Sequence, residues 1–298
     1  MSNLSRLRFI LITVVAVVLS VNMAVAQDNK KLTKEMCITF NELPASQGFG
    51  DVDVKGVNLM ILETLKNHEV KAAGFVVGTY IGENFDILGE WLNNGHTLGS
   101  MTSTNQDYHL VDPQSFTKDI EAGVQALEPM LAGFGQKKRY FRFPYLHYGT
   151  KFEDKDAAMI YLDEQKNIVA HATILVDDYL FNLTLEKMGK EPDSFRIEQL
   201  RDEYLEHLET EIEAAEYKAK DLLGKNCRQI LLLRANRLNA IFLEDILTLI
   251  ESFEYKFVTL NRALKDPLYV KAEAYFGALG VGYLDMILLS DPDMLPAE

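Results

Sequence analysis

Residues 36–44 read Met-Cys-Ile-Thr-Phe-Asn-Glu-Leu-Pro. Met36 to Phe40 is a short apolar run, the signature of a buried strand, and Asn41-Glu42-Leu43-Pro44 is its turn-like exit. Immediately downstream Val57, Leu59, Ile61, Leu62 and Leu65 fall at mainly helical spacing, and Ala72 to Val77 supplies the next apolar strand. The pattern is the start of a βαβ unit. It repeats outward: a helix over Phe85–Leu92, a short strand over Thr97–Met101, and a helix over Ser115–Leu131 announced by Asp112-Pro113. Strands are expected at Arg139–Phe143, Ile168–Val176, Ile230–Leu233 and Lys256–Leu260, with helices at Asp154–Gln165 and Leu243–Phe253. Strands alternating with helices predict a parallel sheet covered on both faces, and about seven such units close into a (β/α) barrel of TIM type. The chemistry of such a barrel sits on the loops that follow its strands.

The long segment Ile197–Leu223 places Ile197, Leu200, Tyr204, Leu208 and Ile212 three or four residues apart among alternating charges, which reads as an amphipathic helix on the outside. No internal repeat and no Pro/Gly-rich linker divides the chain, so residues 27–298 are expected to form a single domain, with the tail from Asp266 packed back onto it. Composition narrows the functional classes. The 298 residues are 48% hydrophobic and 25% charged, an ordinary globular balance, and carry a formal charge of −14. A chain this acidic, without a Lys/Arg cluster, is not expected to bind nucleic acid. Two cysteines exclude a disulfide-dense scaffold and a four-cysteine zinc site, and leave open whether Cys37 and Cys227 pair. Six histidines leave room for a histidine metal site.

Residues 1–26 have the order of a signal peptide: Arg6 and Arg8, an apolar run from Phe9 to Val21, then Ala24-Val25-Ala26 as a cleavage site. The run is shorter than the roughly 20 residues a spanning helix needs, so export to the periplasm or medium is expected, without a membrane anchor after cleavage. Removal of two arginines and no acidic side chain takes the net charge from −14 to −16.

The strand exits carry the more specific signal. In order they are Thr39-Phe40-Asn41-Glu42-Leu43-Pro44, then Gly95-His96-Thr97-Leu98-Gly99-Ser100-Met101-Thr102-Ser103-Thr104-Asn105, then Arg142-Phe143-Pro144-Tyr145, Asp177-Asp178-Tyr179 and Leu231-Leu232-Leu233-Arg234. This succession, from about Met36 to Leu260, resembles the polysaccharide deacetylases with a NodB homology domain, carbohydrate esterase family four. The resemblance implies a distorted (β/α) barrel that uses a divalent metal, usually zinc, to hydrolyse acetyl groups from chitin-, peptidoglycan- or related polysaccharide-like glycans. It also implies roles for individual positions. The family's Asp-Asp-Gly-Pro motif, general base then metal ligand, falls on Asn41, Glu42, Leu43 and Pro44. Its His-Ser/Thr-x-x-His pair of ligands falls on Met101 and Asn105, and its acid histidine on Arg234. Arg142 matches the arginine that orients the base, Asp177 or Asp178 lies at the fourth-motif carboxylates, and Pro144, Tyr145 and Tyr179 fall where substrate would bind.

Elementary chemistry argues against the family reaction at these positions. A thioether and a neutral amide do not hold zinc as imidazoles do, and without the ion a bound water stays far from the pKa of ~7 that makes it a nucleophile. Asn41 cannot take a proton and Arg234 does not give one up. No resident metal is therefore expected, and Arg234 is expected to pair with Glu42 and with Asp177 or Asp178. The other histidines offer little: His96 reads as packed and hydrogen-bonded, His171 and His207 as structural. Asp107, His109 and His147 could form a relocated site in the loops near the mouth, but no ligand spacing links them and a solvated loop is the better reading. Tyr148 and Trp91 could line a sugar groove, although Trp91 sits in a helix and reads as core. The sequence thus predicts an exported deacetylase-like barrel with an impaired centre and residual glycan binding. Two alternatives remain open: an active hydrolase with a rearranged metal site using Glu42, His96 or His109, and a non-enzymatic interaction protein with the helix Ile197–Leu223 as its contact face.

Overall fold

The computed structural model describes residues 34–46, 52–189 and 193–290; the expected signal peptide lies outside the described residues. The described residues form one compact unit. The elements run β1 (Lys34–Leu43), α1 (Val54–Asn67), β2 (Ala73–Val76), α2 (Phe85–Asn93), β3 (Thr97–Ser100), α3 (Pro113–Gly133), β4 (Arg139–Phe141), α4 (Phe152–Glu164) and β5 (Asn167–Val169). They continue with β6 (Ile174–Leu175), α5 (Asp178–Lys187), α6 (Ser194–Leu223), β7 (Gln229–Arg234), α7 (Arg237–Ser252), β8 (Tyr255–Phe257), α8 (Leu260–Ala263) and α9 (Tyr283–Leu288). All pairings are parallel, in the order β5-β4-β3-β2-β1-β7-β6, with β8 added to the start of β1. The distorted (β/α) barrel expected from the sequence is what forms. The distortion is a seam: β5 and β6 do not pair. Among the described residues no helix is long and apolar enough to cross a membrane.

The seam is where the expected single strand Ile168–Val176 breaks in two. Residues 170–173 are not strand, though their two ends stay tied to the neighbouring strands: Ala170 N donates to Phe141 O of β4 at 2.8 Å and Thr173 N to Ile230 O of β7 at 2.9 Å. Tyr283 N, at the start of α9, donates to Ala172 O at 2.7 Å, so the C-terminal segment covers the opening. His171, expected within a strand, lies in this connector instead, its ring 4.1 Å from that of Tyr283 and its Nδ1 3.0 Å from the Tyr148 hydroxyl.

The two-residue period of the strands sorts side chains into two layers. On β1, Met36, Ile38 and Phe40 join the main core beneath the helices, whereas Cys37 packs inside the barrel with Ala73, Phe75, Met101, Tyr140, Ala170 and Ile230. Thr39 and Asn41 share the inward face with Cys37. The helices keep their apolar stripes inward: on the 30-residue α6, Leu200, Tyr204, Leu208, Ile212, Ala215 and Ala219 are buried. Cys37 and Cys227 are both buried free thiols. Trp91 is core, fully enclosed with its indole N–H on Asn58 Oδ1 at 2.8 Å.

One close approach fixes the loop after β3. A Cβ on Gly123 of α3 would lie 2.3 Å from the Thr102 carbonyl carbon and 2.6 Å from Ser103 N, and a Cβ on Gly78 would lie 3.0 Å from Ser103 Cα. The obstacles are backbone, which cannot rotate aside. Gly123→Ala is therefore expected to destabilise the protein by at least the ~1–3 kcal/mol typical of overpacking, read as a lowered urea midpoint at unchanged m. A stability within 0.5 kcal/mol of the parent would show that α3 does not brace this loop, on a scale of about that size for neutral surface changes.

Candidate functional site

The inward period carries Asn41, Met101, Arg142 and Arg234 to the carboxyl ends of β1, β3, β4 and β7, which is where a barrel of this kind presents its chemistry. A glycine makes room for part of it. A Cβ on Gly99 would come within 2.8 Å of the Phe75 ring, and that ring is the platform over which the Arg142 guanidinium lies at 4.1 Å.

Arg142 is fully enclosed. Its Nε donates to Ala170 O at 2.9 Å and its Nη1 to Thr39 Oγ1 at 2.6 Å and Asn41 Oδ1 at 3.0 Å, while Nη2 is buried with no partner among the described residues. Burial presses its pKa down to about 10. An aspartate at position 41 would give this cation a counter-ion; Asn41 offers only a carbonyl dipole.

At the opposite wall Arg234 makes the expected pairs. Its Nη1 lies 2.5 Å from Asp178 Oδ1 and its Nε 3.6 Å from Glu42 Oε1. Its backbone N–H donates to Asp178 Oδ2 at 2.6 Å, and Asn239 Nδ2 donates to the same oxygen at 2.7 Å. Burial works against the Arg234 charge, but the Asp178 and Glu42 carboxylates outweigh it and hold its pKa above the ordinary value. Asp178 has no exposed side-chain surface, and that burial pushes its pKa up against the pull of Arg234. Of the two aspartates left open by the sequence, Asp178 is the one in the site. Asp177 is 69% exposed and faces His207 at 3.9 Å.

Glu42 was expected in a turn and instead continues β1, in the left-handed region at φ 62°, with Ser46 donating to its Oε2. Met101 is buried in the inner apolar cluster. Asn105, also left-handed at φ 56°, has a buried Oδ1 without a partner among the described residues. These three are a poor match to zinc: one carboxylate already neutralised by a guanidinium, a thioether engaged in packing, and one neutral oxygen. They do not fit the family's metal.

The rim is aromatic. Tyr145 is 48% exposed and Tyr179 44% exposed, Arg234 lies 5.9 Å from the Tyr179 ring centroid, and Pro144 is buried beneath Tyr145. Tyr145 stands between two groups of charges, with Glu42 and Asp107 both raising its pKa after burial itself. Tyr148 cannot line a groove: it is 4% exposed, inside the barrel wall against His171. His96 precedes β3 and so lies at the opposite end of the strands, where its Nδ1 accepts from Ala72 N at 3.1 Å. That position removes it from any rearranged site with Glu42 or His109.

Asp107, His109 and His147 are not a loose solvated loop. The chain leaving β3 and the chain leaving β4 bring them together at the mouth. His147 Nδ1 lies 2.8 Å from Asp107 Oδ1, which also accepts from His109 N at 2.8 Å, and the two imidazoles stack with centroids 3.8 Å apart. All three were expected near the mouth, but no ligand spacing links them in the sequence because His147 comes from a different loop, with all of α3 between.

Comparison with known proteins agrees with the architecture. The family model described as Polysaccharide deacetylase matches residues 28–161. The fold is similar to that of a CE4 family pseudoenzyme from Bacillus anthracis, at TM-score 0.55 and 16% identity over 78% of this chain and 66% of that one, so this chain spans about two thirds of its length. It is similar to the polysaccharide deacetylase Bc1974 from Bacillus cereus, at TM-score 0.55 and 18% identity over 76% and 91% of the two chains. A family 4 acetyl xylan esterase from Clostridium thermocellum matches at TM-score 0.51 and 19% identity, over 78% and 90%. With the strand-exit segments in family order and the parallel barrel that carries them, the match over residues 28–161 supports a member of the polysaccharide deacetylase family.

Proposed function

We propose that this is an exported glycan-binding protein built on the deacetylase barrel, in which the family's reaction centre has been replaced by an ion-pair lock. One observation carries the reading: Arg234, at the acid position, is held by Asp178 and by Glu42, the one carboxylate at a ligand position. Asn41 at the base position is itself an acceptor for Arg142, so neither proton transfer nor metal binding has a group to use there. What remains at the mouth is Tyr145 and Tyr179, whose half-exposed rings suit stacking on sugar faces in a chitin-, peptidoglycan- or xylan-like polymer. Export rests on the order of residues 1–26.

The protein is expected to release no acetate from an acetylated chito-oligosaccharide, with or without added zinc, and to bind such glycans in a way that Tyr145→Ala weakens. Restoring the family residues is the reciprocal experiment: Asn41→Asp, Glu42→Asp, Met101→His, Asn105→His and Arg234→His together are expected to confer zinc binding at these positions. A mutant of the Bacillus anthracis pseudoenzyme with restored enzymatic activity is a precedent for attempting this. Acetate release by the unmodified protein would overturn the reading in favour of an active hydrolase.

A further inference from the structure

We propose that Asp107, His109 and His147 form a binding site for a single divalent transition-metal cation of the zinc type, joining the loop after β3 to the loop after β4 at the barrel mouth. One ligand atom from each of the three lies within 4.8 Å of the other two. The donor set is one carboxylate and two imidazoles, the combination zinc and cobalt prefer over the hard cations. Two loops separated in sequence by the whole of α3 would not converge on these residue types for packing alone.

His109 carries the observation that points to a ligand. Its Nε2 is buried and has no hydrogen-bond partner among the described residues. The Gly149 carbonyl accepts from its ring, which leaves Nε2 as the lone-pair nitrogen. A ring N–H on a backbone carbonyl is the arrangement that orients a metal-binding histidine. The scaffold around the cluster is braced. The Tyr108 hydroxyl donates to Asp154 O at 2.5 Å and its ring stacks on Phe116 at 3.9 Å. A Cβ on Gly280, in the C-terminal segment, would lie 3.3 Å from His147 Cδ2 and 2.0 Å from the Tyr145 carbonyl oxygen, so this segment backs the loop after β4.

The parallel rings do not yet aim two lone pairs at one point. Binding requires one imidazole to turn about its Cβ–Cγ bond, and it requires His147 to give up the hydrogen bond from Nδ1 to Asp107. In the neutral ring the proton then resides on Nε2, so that Nδ1 and the freed carboxylate oxygen both face the ion. A fourth position stays open to water or to a sugar hydroxyl. The Tyr145 ring centroid lies 5.8 Å from that of His147, and the ion would bind on residues other than those at the family's centre.

The test is equilibrium dialysis of the metal-stripped wild-type protein against Zn2+ and against Co2+, with the visible absorption of Co2+ as a report of its ligands. One equivalent is expected, with a tetrahedral cobalt spectrum and movement of the His109 and His147 imidazole NMR signals alone among the histidines. Since loss of a group merely supporting a metal ligand costs 10–100-fold in affinity, His109→Ala and His147→Ala should each cost at least about 100-fold. Glu42→Gln and Asn105→Ala should leave binding unchanged. No binding by the wild-type protein, undiminished binding in the His109→Ala/His147→Ala double variant, or unmoved His109 and His147 signals would overturn the proposal. Binding abolished by Glu42→Gln would place the ion at the family positions and would count against both this site and the dismantled centre, whereas acetate release without a metal at Asp107 would count against the latter alone.

Discussion

Asp178→Ala is expected to lower the stability of the protein by about 3 kcal/mol or more, from the 3–5 kcal/mol cost of breaking a buried pair at one end. Both Asp178 oxygens are in use: Oδ1 faces the Arg234 guanidinium, and Oδ2 accepts from Arg234 N and Asn239 Nδ2. Truncation leaves Arg234 N without its acceptor, leaves Asn239 Nδ2 with the Arg234 carbonyl alone, and leaves the Arg234 guanidinium with only the 3.6 Å approach of Glu42. Arg234 keeps 24% of its side chain in contact with solvent, which screens part of the lost attraction and sets the expectation at the lower end of the range. Asp178→Asn should cost less, because an amide oxygen still accepts from one of the donors. Replacing both partners, Asp178→Leu with Arg234→Met, should recover much of the loss, since removing a buried pair whole is cheaper than halving it. Urea midpoints at unchanged m decide the matter. A loss below 1 kcal/mol for Asp178→Ala would mean that the pair is not locked.

The second large effect is a fall in stability with acid. His171 is held down at about pKa 3, by burial first and then by the Lys155 and Arg142 charges, and His96 at about 4, by burial and then Lys71. Both are therefore neutral in the folded protein where the unfolded chain, titrating near 6.5, already takes up protons. The unfolded state binds more protons in that window, so stability decreases as pH falls below 6.5, and goes on decreasing until the folded values are reached. Each fully titrating histidine contributes a slope of about 1.4 kcal/mol per pH unit, and the two together about 2.7. His109, lowered by burial and by His147, adds in the same direction. His68 acts on the other side of neutrality: against burial, the Glu251 and Glu244 carboxylates raise its pKa, so its contribution is complete below 6.5 and is lost as pH rises. Denaturation midpoints between pH 6.5 and 5 thus isolate the buried imidazoles. His96→Gln should remove close to half of the slope. A flat profile over this range would refute the assignment.

Much of this arrangement is legible in the sequence, and the exceptions have physical reasons. The apolar runs at Met36–Phe40 and Ile230–Leu233 are strands because a parallel sheet buried on both faces has no other composition available to it. The pairing of Arg234 with Glu42 follows from charge neutralisation in a cleft. Which of Asp177 and Asp178 would join them could not be read, since adjacent residues at a helix start point in different directions and only packing says which turns inward. The run Ile168–Val176 looks continuous because residues 170–173 are as buried as strand residues; what takes them out of the sheet is a partner far along the chain, at Tyr283. Asp107, His109 and His147 could be placed near the mouth but read as a solvated loop, for the same reason. Their relation exists only in three dimensions.

The seam between β5 and β6 also orders the assembly of the molecule. Strands β1 to β7 are complete by Arg234, yet the amide that meets Ala172 O belongs to Tyr283. A chain emerging from the ribosome therefore passes through a stage in which its barrel is formed on all sides but one. The connector between the two unpaired strands lacks its Tyr283 partner until the final helix arrives. Unpaired edges are templates for neighbouring chains. The last described helix, only Tyr283–Leu288 in length, is thus the element that meets the connector between those two strands.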